Sequence, residues 1–167
     1  MALLEPLSFE CTSHSDDQTQ RLGARLGAVL PAHAVIALHG PMGAGKTNFA
    51  RGIGAGWGAD QGLRSPTFTL VQQHHREADD AALYHIDLYR AESESDLAGL
   101  GLSEILDDDK SVAIIEWPEH AGELLPKDTL HIKISVTSDT KRQFTFSTQD
   151  NAAWQVLLMF RKSAFGV

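Results

Sequence analysis

The chain has 167 residues, 43% hydrophobic and 22% charged, with a formal net charge of −8, the make-up of a globular chain with a real core, expected as one domain over 1–167. Its 14 Lys and Arg are scattered, which argues against a broad nucleic-acid surface, and no apolar run nears the ~20 residues of a membrane span. Cys11 is the single cysteine, which excludes an internal disulfide framework; with an N-terminus unlike a signal peptide, a reducing cytoplasm is the expected location.

Leu7–Cys11 alternates as an edge strand does. Asp16 and Asp17 sit where a helix N-terminus favours negative charge, and Leu22, Leu26, Val29 and Leu30 then line one face up to Pro31. Packing on the sheet is the role expected of this helix. Ala34–Leu38 is a short apolar run that reads as a buried strand.

Gly40-Pro41-Met42-Gly43-Ala44-Gly45-Lys46-Thr47 follows, and it fits G-x-x-x-x-G-K-[ST] at every fixed position. Phe49, Ala50 and Ile53 recur behind it at helical spacing. Strand, glycine loop and helix thus stand in the order that a phosphate-binding loop requires. Gly40, Gly43 and Gly45 let backbone N–H groups, Ala44's among them, close on phosphate oxygens. Lys46 reaches the terminal phosphates, and the Thr47 hydroxyl suits Mg²⁺. The chain therefore reads as a binder of a nucleoside triphosphate with magnesium.

Gly52, Gly54, Gly56 and Gly58 cost helix stability, so a short or irregular end is expected there. Ser65–Val71, with Pro66 at its start, reads as a strand. Leu83–Tyr89 alternates again across the polar turn Arg76–Asp80. The pair predicts a hairpin, and with it a mixed sheet. Asp87 stands among apolar neighbours, either as a second acid at the γ-phosphate or neutralised by Arg90 or Arg64.

Ser93-Glu94-Ser95-Asp96 fits a capping box, followed by a helical region weakened at Gly99 and Gly101. Asp107-Asp108-Asp109 reads as a solvated turn. Val112–Ile115 is a second buried strand, ending at Glu116; an acid there, downstream of a phosphate loop, holds Mg²⁺ or orients water. Leu130–Val136 and Gln143–Ser147 form another hairpin, and Trp154, Leu157, Leu158 and Phe160 mark a terminal amphipathic helix. His74, His75 and His85 lack zinc-site spacing.

A nucleotide-driven switch and a small-molecule P-loop kinase compete at this point. The kinase needs an arginine-rich lid to clamp phosphates and exclude water, and no such segment stands out.

With these motifs in place, the sequence resembles the TsaE (YjeE) family of ATPases in tRNA threonylcarbamoyladenosine biosynthesis. GPMGAGKT at Gly40–Thr47, SPTFTLV at Ser65–Val71, YHIDLYR at Tyr84–Arg90, GLSE at Gly101–Glu104 and IEWPE at Ile115–Glu119 carry the resemblance, in the family's order. It implies an α/β fold, a P-loop NTPase-like three-layer sandwich with a mixed parallel/antiparallel sheet. It implies Mg-ATP binding, slow hydrolysis, and action on a TsaB–TsaD heterodimer that modifies the adenosine beside the anticodon. Contact with tRNA would be small or indirect, with no DNA and no membrane. By position, Lys46 would hold phosphates, Thr47 and Glu116 would hold Mg²⁺, and Asp87 would be a second acid needed for activity. Ser65-Pro66-Thr67 would be a switch-like segment with Thr67 at the nucleotide, and Arg142 would lie near it. Asn48 stands where the family usually has threonine, beside the α-phosphate.

Overall fold

The computed structural model describes residues 7–64 and 70–167. In chain order the elements are β1 (Leu7–Ser13), α1 (Asp16–Gly27), β2 (Ala34–His39), α2 (Lys46–Trp57), β3 (Val71–His75) and β4 (Ala82–Asp87). Then come α3 (Glu94–Leu100), α4 (Leu102–Asp107), β5 (Ser111–Glu116), a 3-10 segment (Pro118–Leu124), β6 (Leu130–Val136), β7 (Arg142–Thr148) and α5 (Asn151–Phe165).

Among the described residues seven strands join one sheet in the order β1-β7-β6-β2-β5-β4-β3. The four central strands, β6, β2, β5 and β4, run parallel, and β1, β7 and β3 pair antiparallel at the flanks. The hairpins expected from alternation are β3–β4 and β6–β7. β2 and β5 are buried on both faces, which is why they read as continuous apolar runs rather than alternating ones.

The two faces pack separately, which makes the sandwich three layers deep. On one, Leu26 of α1, Phe49 and Ile53 of α2 and Phe160 of α5 cover Ile36 and Ile114. On the other, Leu97 of α3 and Leu102 and Leu106 of α4 cover Val35, Ile86 and Ile115. Each fully buried Leu, Ile or Phe contributes about 1.5–3 kcal/mol, so the ends of β2, β4 and β5 form a stiff floor.

Helix ends follow their chemistry. The Ser15 side chain caps α1, Ser93 and Asp96 form the expected capping box on α3, and Asp150 caps α5. Gly101, with φ 70°, divides the helical region after Ser93 into α3 and α4. Asp108 accepts from the Ser111 hydroxyl and the Lys110 N–H, so the acidic run is a turn.

One expectation is extended and one corrected. α1 packs on the sheet through Leu22 and Leu26, as expected, and also lies close against α2, while α2 runs unbroken to Trp57. The close helix contact and the unbroken helix have one cause. A Cβ on Gly23 or Gly27 of α1 would strike the Phe49 or Ile53 carbonyl, and one on Gly52 or Gly56 of α2 would strike Gln20 or Ala24. The glycines let two helix backbones touch. Of the strand expected over Ser65–Val71, Ser65–Thr69 lie outside the described residues and Leu70 is a bend, so only Val71 is strand; β3 runs on to His75, through residues not read as strand.

Candidate functional site

The site forms where β2, β5 and β4 end side by side. Register sets Leu38 beside Glu116 and Glu116 beside Asp87. Ligand crevices in α/β sheets open at these carboxyl ends.

The loop after β2 is shaped by its glycines. At Gly40, φ is 152°, and a Cβ would sit 2.6 Å from the Ile134 carbonyl oxygen. Gly45, with φ 101°, is the N-cap of α2, and a Cβ there would meet nothing within 4 Å. No side chain caps α2 and no acid lies in its first turn. Its leading N–H groups have no partners within the helix, and the positive end of the dipole is left unneutralised. An anion, and a phosphate above all, suits such a concavity.

Lys46 is buried at the head of α2. Its Nζ donates to the Gly40 and Pro41 carbonyls at 2.5 and 3.2 Å, and lies 4.0 Å from the centroid of the Trp117 ring. Burial pushes its pKa down, while Glu116, Glu119 and Asp87 pull it back up. The Thr47 hydroxyl donates to Glu116, 3.1 Å from Oε1 and 3.3 Å from Oε2. Glu116 is 3% exposed and takes a second contact, at 2.7 Å, from His85 Nε2. Asp87 is half-buried; its Oδ1 accepts from the Tyr89 N–H at 2.9 Å, and no ion pair with Arg64 or Arg90 forms among the described residues.

The other residues singled out from the sequence divide. Arg142 is brought to the loop, where its Nε donates to the Ala44 carbonyl at 3.0 Å and its Nη1 donates to Ser138 and Lys141. Asn48 turns its side chain to α1, donating to the Asp16 carbonyl and accepting from Gln20. Only its backbone remains on the loop side. Thr67 lies outside the described residues.

The chain is similar to known proteins over most of its length. The family described as threonylcarbamoyl adenosine biosynthesis protein TsaE matches residues 13–144. This chain belongs to the TsaE family. It is 36% identical over 137 residues to the tRNA threonylcarbamoyladenosine biosynthesis protein TsaE of Treponema pallidum, covering 82% of this chain and 98% of that one. The TsaE of Bacillus subtilis is 34% identical over 135 residues, covering 81% and 82%. The crystal structure of Bacillus subtilis YdiB superposes with a TM-score of 0.72 at 24% identity, over 95% of this chain and 97% of that one. This last likeness concerns the fold.

Two features of this TsaE-family site were not foreseen. His85, set aside as lacking zinc spacing, reaches the acid at the end of the neighbouring strand. Trp117 adopts φ 58° and ψ 50°, and is the only non-glycine residue with positive φ among the described residues. That turn lays its indole over Lys46. No helix among the described residues is long and apolar enough to cross a membrane.

Proposed function

We propose that the chain is a Mg²⁺-dependent ATPase acting in the cytoplasm as a switch on a TsaB–TsaD heterodimer, which modifies the tRNA adenosine next to the anticodon with threonylcarbamoyl. The observation that carries the chemical part is the pair Thr47–Glu116 at the mouth of an unneutralised glycine loop. The partner and the tRNA step rest on family membership.

The donor set fits magnesium. A hydroxyl and a carboxylate are hard oxygens, and Mg²⁺ takes only one or two protein ligands beside phosphates and water. Thr47 and Glu116 would hold the ion, which when bound spreads and neutralises charge on the transferring phosphate. The loop N–H groups and Lys46 would grip the phosphates, Lys46 leaving its two carbonyls to do so. Asp87, in register with Glu116, would orient the attacking water.

The purified chain is expected to hydrolyse ATP slowly, and faster with the heterodimer. Glu116→Ala and Asp87→Ala should each lower turnover about 100-fold. Lys46→Ala should weaken Mg-ATP binding by about 10- to 100-fold, the loss of a charge-assisted contact. Normal turnover in both acid variants would sink the assigned roles. In a reconstituted modification assay, repeated turnover that is indifferent to omission of this chain would sink the switch. A phosphorylated metabolite formed one per ATP, with no partner protein, would instead mark a small-molecule kinase.

A further inference from the structure

A buried carboxylate needs donors, or it loses its charge or turns away. Two reach Glu116. The Thr47 hydroxyl is shared between Oε1 and Oε2 at 3.1 and 3.3 Å and selects neither. His85 does select: its Nε2 lies 2.7 Å from Oε2. His85 is fully buried on β4, on the same sheet face as Glu116 and α2.

Its other nitrogen is as informative. Nδ1 is buried and has no hydrogen-bond partner among the described residues. A carboxylate oxygen accepts, so the imidazole proton belongs on Nε2, and among the described residues it is Glu116 that fixes that tautomer. A histidine kept for its volume would leave an unpaired buried nitrogen that packing does not offset; Leu or Phe would fill the space without it.

We propose that His85 is a positioning residue for Glu116. Its Nε2–H holds Oε2, leaving Oε1 as the oxygen nearer the Thr47 hydroxyl, so acid and hydroxyl form one preset pair for Mg²⁺. The inference rests on the reading of the site as an Mg-ATP site. His85 acts through Glu116 and reaches neither phosphate nor metal itself.

Two amide variants separate positioning from packing. Gln places its side-chain nitrogen at the reach of imidazole Nε2, and Asn places it at that of Nδ1. H85Q should keep kcat and the Mg²⁺ dependence of ATP binding close to wild type. H85N should lower kcat and weaken apparent Mg²⁺ affinity by about 10- to 100-fold, as loss of a group that orients a metal ligand does. ATP binding in EDTA should not change in either. In an E116Q background, H85N should add little further loss. Equal losses in H85Q and H85N, additive losses with E116Q, or unaltered Mg²⁺ dependence in folded H85N would overturn the proposal. A measurement without variants guards against poor folding of H85N: imidazole nitrogen NMR of the wild-type chain should show a proton on Nε2 of His85, and a ring protonated on Nδ1 alone would overturn it. Wild-type protein that fails to bind Mg-ATP would sink the nucleotide reading, and this proposal with it. Wild-type binding with indifferent variants would sink the proposal alone.

Discussion

Trp117 shows what one residue's backbone does for the site. A left-handed conformation costs a non-glycine residue about 1–2 kcal/mol, and it persists where surrounding contacts enforce it. Here Lys46 lies 4.0 Å from the ring centroid on one side, and Tyr89 packs with a centroid distance of 5.0 Å. A triphosphate that draws Lys46 off the Gly40 and Pro41 carbonyls must therefore change the indole's surroundings. Titration with Mg-ATP should change tryptophan fluorescence, and Trp117→Phe should abolish that change although Trp57 and Trp154 remain. A change that survives in Trp117→Phe would refute the coupling. Lys46, Thr47 and Glu116 were legible as a motif and a strand-end acid. The Trp117 turn was not, because a residue before proline is biased to extended backbone and nothing in Glu116-Trp117-Pro118 announces a left-handed turn.

At the scale of elements, the α1–α2 crossing sets the angle at which the head of α2 meets the loop. A methyl at Gly56 or Gly27 has backbone carbonyls in its way, and backbone cannot rotate aside as a side chain can. Gly56→Ala gains helix propensity, up to about 1 kcal/mol, but overpacking of this kind costs about 1–3 kcal/mol or more. The variant should melt several degrees lower, at ~2–4 °C per kcal/mol for a chain of this size. Gly99→Ala, with nothing within 4 Å of the added carbon, is the control and should not fall. Equal melting of Gly56→Ala and wild type would remove the crossing from the account. Propensity is local, so the sequence marked these glycines as weakness; their use depends on a partner helix about 30 positions away. Strand register is hidden for the same reason. His85 meets Glu116 only because β4 and β5 pair Asp87 with Glu116, and a one-residue slip would turn His85 to the opposite face.

Across the whole molecule, burial in and beside the sheet disfavours the charged form of several histidines. His39, at the end of β2, and His131, on β6, share a hydrogen bond of 3.0 Å between Nε2 and Nδ1. One ring donates and the other accepts, so the bond fails when both are cationic. Burial lowers both pKa values below 6.5; at His39 the Glu119 carboxylate opposes the shift and Lys133 and Lys46 add to it, and at His131 His39 adds to it. Burial lowers His74 likewise. Between those folded values and 6.5, the unfolded chain binds more protons than the folded one. Their contribution is therefore complete above 6.5 and is lost as pH falls toward the folded values. Asp79, Asp96 and Asp108, each lowered from 3.8, act only in stronger acid and stay out of that window. The melting temperature should fall on acidification from about pH 8 to about pH 5 at constant ionic strength, by linkage to these rings. His131→Gln can keep a hydrogen bond to His39 but cannot take up a proton, so it should flatten the slope. A melting temperature that holds level or rises over this range would show that folding does not lower the proton affinity of these rings.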